Sequence, residues 1–136
     1  MIKVKENNKN VEEFNYLFDA VGWGAHEDEV SEKALDNTFY SVSIYDDDKI
    51  IGYGRLIGDN ICYLYVHDIM VIPEYQGKKI GTMIMNKLVD KINEVKKDNP
   101  YLRVYLGASK NKEGFYKKFG FIEREYTDLG PAMILK

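Results

Sequence analysis

The spacing of apolar residues changes at Ile80, and that change constrains the fold more than any other feature of the chain. Before it, Ile61 to Ile72 is a long β-branched and aromatic run that reads as a strand. After it, Ile80, Ile84, Leu88, Ile92 and Val95 recur at helical spacing, with Lys, Asp and Glu between them. The helix stops before Asn99-Pro100, and Leu102 to Leu106 reads as a further strand. Strand, helix and strand in that order make a crossover, which sets the two strands parallel. Between the first strand and the helix lies Ile72-Pro73-Glu74-Tyr75-Gln76-Gly77-Lys78-Lys79. A loop that opens a helix gathers unpaired N–H groups and the positive end of the helix dipole at one spot, where a phosphate or pyrophosphate binds. Glycines there let an anion approach the backbone. The segment points to an enzyme that holds a diphosphate-bearing cofactor.

Upstream, Ile2 to Lys5 reads as a first strand. Asn10 can cap a helix over about Val11 to Ala20, with Glu13 three residues on as in a capping box. Gly22-Trp23-Gly24 breaks it, and Glu27 to Leu35 reads as a second, shorter helix. Phe39 to Tyr45, Ile50 to Ile57 and the run from Ile61 are strands joined by the polar turns Asp46-Asp47-Asp48 and Gly58-Asp59-Asn60. Tight turns make them an antiparallel meander. Glu113 to Phe119 is a short helix ended by Gly120, and Phe121 to Arg124 and Ala132 to Leu135 are the final strand candidates. The fold class is mixed α/β with a central, largely antiparallel sheet flanked by helices, in one domain over 1–136.

Composition narrows the function. Hydrophobic residues at 45% supply a sizeable core, and charged residues at 30% are scattered evenly. No apolar run approaches a transmembrane span, and the N-terminus has no apolar leader core, so no membrane partner is expected. The net charge of −3 speaks against nucleic acid as a partner. The single Cys62 can make no internal disulfide, which suits the cytoplasm, and it reads as a packed strand residue. No His, Cys, Asp or Glu cluster has metal spacing, so no metal is expected.

The loop is neither a Walker loop nor a dinucleotide fingerprint, since neither glycine pattern occurs. What remains is Gln76, four residues, then Gly81, after an apolar strand ending in Val71-Ile72-Pro73. It resembles the coenzyme A loop of the GNAT acetyltransferases, Gln/Arg-x-x-Gly-x-Gly/Ala. Lys79 stands where that pattern has its first glycine. Downstream, Asn111-Lys112-Glu113-Gly114-Phe115-Tyr116-Lys117-Lys118-Phe119-Gly120-Phe121 is similar to the family's Asn-x-x-(small)-x-x-Tyr-x-x-x-Gly-Phe segment. The resemblance covers roughly Tyr40 to Phe121. It implies a GNAT-like sheet splayed where coenzyme A binds, and acetyl-CoA as cofactor. The implied activity is N-acetyl transfer to a primary amine by direct attack in a ternary complex. The implied partner is a small-molecule amine, or else a protein amine, and the chain would act as monomer or homodimer. A non-catalytic acyl-CoA-binding or regulatory domain of the same fold is the alternative.

The resemblance also assigns residues. Gln76, Gly77, Lys78, Lys79, Ile80, Gly81 and Thr82 would bind the cofactor's phosphates. The backbone of Met70 and Val71 would pair with its pantetheine arm, and Asn111 would contact that arm. Tyr116 would be the general acid near the sulfur. His67 and Asp68 are the candidates for handling the amine proton. Neighbours on a regular strand face opposite sides, so only one of them should point at a given side. Trp23, His26, Tyr40, Arg55, Tyr63 and Tyr65 are candidate wall residues on the substrate side. Val21-Gly22-Trp23 and Tyr53-Gly54-Arg55 resemble the small serotonin-N-acetyltransferase-like branch, which implies an amine with an aromatic or alkyl body.

Overall fold

The computed structural model describes residues 1–136, and its backbone falls into two compact units, residues 1–106 and 107–136. The first unit is a five-stranded sheet in the order β1 (Ile2–Glu6), β2 (Tyr40–Asp46), β3 (Lys49–Gly58), β4 (Tyr63–Val71) and β5 (Arg103–Leu106). The first four strands are antiparallel neighbours, and β5 runs parallel to β4. The helices are α1 (Val11–Ala20), α2 (Asp28–Asp36) and α3 (Ile80–Asp98), the last being the crossover from β4 to β5. The chain thus forms the mixed α/β, mainly antiparallel architecture that its periodicities predict.

Alternation along β3 divides the core. Gly52, Gly54 and Leu56 face α3, whereas Tyr53 and Arg55 meet Phe14 of α1 on the opposite face. The two glycines let α3 settle closely on the sheet. A Cβ at Gly54 would lie 2.6 Å from Ile69 Cδ1 and 2.6 Å from Ile84 Cγ2. Overpacking of that kind costs about 1–3 kcal/mol. Ile84, Met85 and Leu88 of α3 are fully buried there. On the opposite face Phe14, Leu17 and Leu35 are buried with Tyr53 and Met70. The expected cap of α1 is half formed. Asn10 Oδ1 accepts from Glu13 N at 2.9 Å, but the Glu13 carboxylate accepts from Asn8 and from the Tyr45 hydroxyl rather than returning to Asn10.

The second unit holds α4 (Glu113–Lys117), followed by a single 3₁₀ turn at Arg124–Tyr126. The two C-terminal strands do not form. Around residue 124 local bonds take the backbone instead: Thr127 Oγ1 donates to the Arg124 carbonyl at 2.6 Å and accepts from Leu129 N at 3.0 Å. Such side-chain bonds compete with a ladder, and Gly130-Pro131 breaks any extended run toward the C-terminus. Ala132 to Leu135 has no regular structure.

Candidate active site

The expected opening in the sheet is a matter of strand length. β5 pairs with Tyr63 to Val66 of β4 and ends at Leu106. From His67 to Val71, β4 remains bonded to β3 but has no partner on its other side. Five residues of sheet edge are therefore open next to the loop that leads into α3. Met70 is 1% exposed, main chain and side chain together, so the edge is unpaired by any strand there but covered.

The loop has the donors that the sequence promised. After a 3₁₀ turn at Pro73–Tyr75, no backbone carbonyl lies in hydrogen-bonding geometry to the N–H groups of residues 77–82. No side chain caps α3 either. Gly77 has φ +78 and open space where a Cβ would project, and Lys79 has φ +64. Both positions are left-handed, which explains why a glycine suits the second: Lys79 adopts the glycine conformation and carries its strain. Gln76 ties the loop to the open edge, since its Nε2 donates to the Val71 carbonyl at 3.0 Å. The Lys78 ammonium lies 5.1 Å from the centre of the Tyr75 ring. The Tyr75 hydroxyl in turn donates to Asp46, which holds the Asp46 carboxyl below the usual carboxylate range, with help from the Met1 amino group. An anion with an amide-bearing arm fits this set: unpartnered donors and two lysines at one end, and at the other a stretch of β4 that no strand pairs, its Val71 carbonyl held by Gln76.

His67 and Asp68 lie on one face, contrary to the expectation for a regular strand. Tyr53 pairs with Met70 and Arg55 with His67, so Asp68 and Ile69 together stand opposite Gly54. This is a β-bulge, and Asp68 takes φ +55 within it. His67 shares the face of its register partner Arg55, and the Asp68 carboxylate reaches the same guanidinium, with Oδ2 2.6 Å from Nε. Asp68 is thereby committed to a half-buried ion pair. His67 is exposed and stacks on Tyr65, with ring centroids 5.7 Å apart.

Tyr65 continues the row to Tyr105 at 5.4 Å, and Tyr105 to Tyr63 at 6.2 Å. Tyr63 and Tyr65 are 44% and 41% exposed. Trp23 and His26 pack against Phe18 in the connection between α1 and α2. Tyr40 is no wall residue. It is buried on the α3 face beneath Lys91, its hydroxyl bonded to Glu6 at 2.5 Å. The bulge, and with it the Arg55–Asp68 pair, escaped sequence reasoning. Gly54 within an otherwise bulky strand was the available signal, because an isolated strand glycine marks a bulge or a close approach.

In the second unit Tyr116 packs edge-on against Phe115 and Phe121. Burial raises its pKa, so the hydroxyl keeps its proton. Asn111 precedes α4 with φ +68.

Among known proteins, the family model described as an acetyltransferase (GNAT) domain matches residues 8–128. An uncharacterized N-acetyltransferase, ycf52, of Pyropia yezoensis is 27% identical over 123 residues, 86% of this chain and 68% of that protein. A ycf52-like uncharacterized N-acetyltransferase of Prochlorococcus marinus is 29% identical over 113 residues, 80% of this chain and 61% of that protein. The chain thus spans between 61% and 68% of the length of these two relatives. A solved protein of unknown function from meticillin-resistant Staphylococcus aureus is 32% identical with a TM-score of 0.85, covering 100% of both chains. A GNAT family acetyltransferase from Streptococcus pneumoniae is 28% identical with a TM-score of 0.83, covering 100% of this chain and 98% of that one. An open strand edge, an uncapped helix start and a family model that spans both agree: this chain belongs to the GNAT acetyltransferases.

Proposed function

We propose that the chain is an acetyl-CoA-dependent N-acetyltransferase acting on a primary amine in the cytoplasm. The observation that carries the reading is the open edge of β4 at residues 67–71 beside the unpartnered N–H groups of 77–82. When bound, acetyl-CoA supplies an acetyl group already activated as a thioester. Gly77 to Thr82 hold its phosphates through backbone N–H groups, with Gln76 fixing the start of the loop and the charges of Lys78 and Lys79 adding to the helix dipole. The Met70 and Val71 backbone aligns its arm, and Asn111 contacts that arm. His67, free of any ion pair, takes the proton from the amine. Asp68 remains with Arg55. Tyr116, held in its protonated form by burial, gives its proton to the departing sulfur.

The acceptor is an amine with an aromatic or alkyl body, as in the serotonin-N-acetyltransferase-like branch. What supports this is the row of exposed rings, Tyr63 and Tyr65, leading to His67 on one face of the sheet. A small molecule suits that surface better than a protein amine. The test is calorimetry with acetyl-CoA, followed by a free-thiol assay over aryl-alkyl amines, alkyl amines and peptide N-termini. The reading expects binding, and thiol release with at least one aryl-alkyl amine. Binding with no thiol release from any amine would instead support the acyl-CoA-binding regulator. Absence of binding would overturn both.

A further inference from the structure

We propose that Arg55 is a positioning residue that locks the bulge of β4 to the end of α2, and so couples the acceptor side to the open strand edge. Arg55 sits on β3 and reaches three elements at once. Its Nε donates to Asp68 Oδ2 at 2.6 Å, on the bulge. Its Nη1 donates to the Ala34 carbonyl at 3.1 Å and to Thr38 Oγ1 at 3.0 Å, at the C-terminal end of α2. Its guanidinium also lies 5.6 Å from the centre of the Phe14 ring in α1. Arg55 and Asp68 are only 14% and 16% exposed, so water competes weakly for these bonds.

The geometry needs arginine. A planar fork reaches the carboxylate from Nε and the carbonyl and hydroxyl from Nη1, whereas an ammonium offers a single nitrogen. The position also needs a lock. Asp68 is held at φ +55, a conformation that costs free energy in a non-glycine residue and persists only when its surroundings fix it. Arg55 supplies that constraint from the side. The bulge carries His67 at one end and Met70 at the other, so its shape sets both the proton acceptor and the backbone that faces the arm. The phosphate loop has an anchor of its own outside the bulge, in Tyr75–Asp46. The inference rests on the proposed acetyl transfer for its catalytic consequence and on geometry alone for the lock.

Two measurements separate these. Amide hydrogen exchange needs no activity. Arg55→Ala should speed exchange both at residues 34–38 and at residues 67–71, and Asp68→Asn should do so at 67–71. If Arg55→Ala quickens only one of the segments, the lock is overturned. In turnover with acetyl-CoA and the best amine of the thiol screen, Arg55→Ala and Asp68→Asn should each lower kcat roughly tenfold to a hundredfold, the scale of a small misplacement. Acetyl-CoA affinity, measured by calorimetry, should fall by a much smaller factor than kcat, because the phosphate loop is anchored elsewhere. The double variant should be no slower than the slower single variant, because both act through one contact. Arg55→Lys should remain slow despite keeping the charge. Wild-type kcat in a folded Arg55→Lys, or fully multiplicative losses in the double variant, would sink the proposal. A wild-type chain that binds no acetyl-CoA would instead refute the acetyl-transfer reading and leave the exchange experiment to judge the lock.

Discussion

At the scale of single residues, the bulge decides which of two neighbours is available for chemistry. His67 is exposed and makes no ion pair, while Asp68 is bonded to Arg55. His67→Ala should therefore remove or shift the acidic limb of the pH profile of kcat/KM, where Asp68→Asn lowers the rate at all pH values without moving that limb. An unmoved limb in His67→Ala would assign the proton to water or to another group. Tyr116 offers a second check. Its hydroxyl is wanted when charge develops on sulfur and not in ground-state binding, so Tyr116→Phe should lower kcat by roughly 10²–10⁴-fold with acetyl-CoA affinity nearly intact. A folded Tyr116→Phe enzyme with wild-type kcat, measured where chemistry limits turnover, would show that the ring merely packs.

At the scale of elements, the loop between β4 and α3 gives the sharpest contrast between glycine and its substitutes. Lys79 holds φ +64 at the position where a glycine would be at ease. Lys79→Gly should raise stability by up to about 1 kcal/mol, seen as a higher urea midpoint at unchanged slope. Gly81→Val should weaken acetyl-CoA binding roughly tenfold or more, the equivalent of one lost bond to a charged group, with the fold intact. Much of this scale was legible in the sequence. The 3.6-residue spacing from Ile80 and the polar turns at Asp46 and Gly58 depend on nearby residues alone, and the strands and helices they announce are present. Register was not legible. Asp68's positive φ arises because Met70 pairs with Tyr53 while His67 pairs with Arg55, a relation between strands that neither strand carries by itself. The same holds for Phe121 to Arg124, where the Glu123 and Arg124 carbonyls accept locally from Tyr126 N and Thr127 N instead of joining a ladder.

At the scale of the whole molecule, buried phenols set an upper pH limit. Burial pushes the Tyr53 hydroxyl up to about 12 from 10.0. Burial, with bonds to Glu6 and Glu13, pushes Tyr40 and Tyr45 up as well. Each group keeps its proton in the folded chain at pH values where the unfolded chain has released it. Their contribution is therefore fully present below pH 10 and is lost as pH rises through the folded value. For Tyr53 that loss runs at about 1.4 kcal/mol per pH unit between the two values. The loss from these three phenols should begin near pH 10 and steepen above it. Tyrosinate absorbance of these groups should appear together with the loss of circular dichroism. Smooth titration of all tyrosines near 10 in a folded chain would contradict the burial.

The early end of β5 has one more consequence. A sheet edge five residues long behaves as a mould rather than a cavity: it accepts only something as thin as another strand, with amide groups at matching intervals. Selection by such an edge is made by outline and by the rhythm of donors and acceptors, and is indifferent to the side chains of β4. On the proposed reading, a cofactor arm of matching spacing would lie where a further strand would, so that binding would extend the sheet as well as position the reactant.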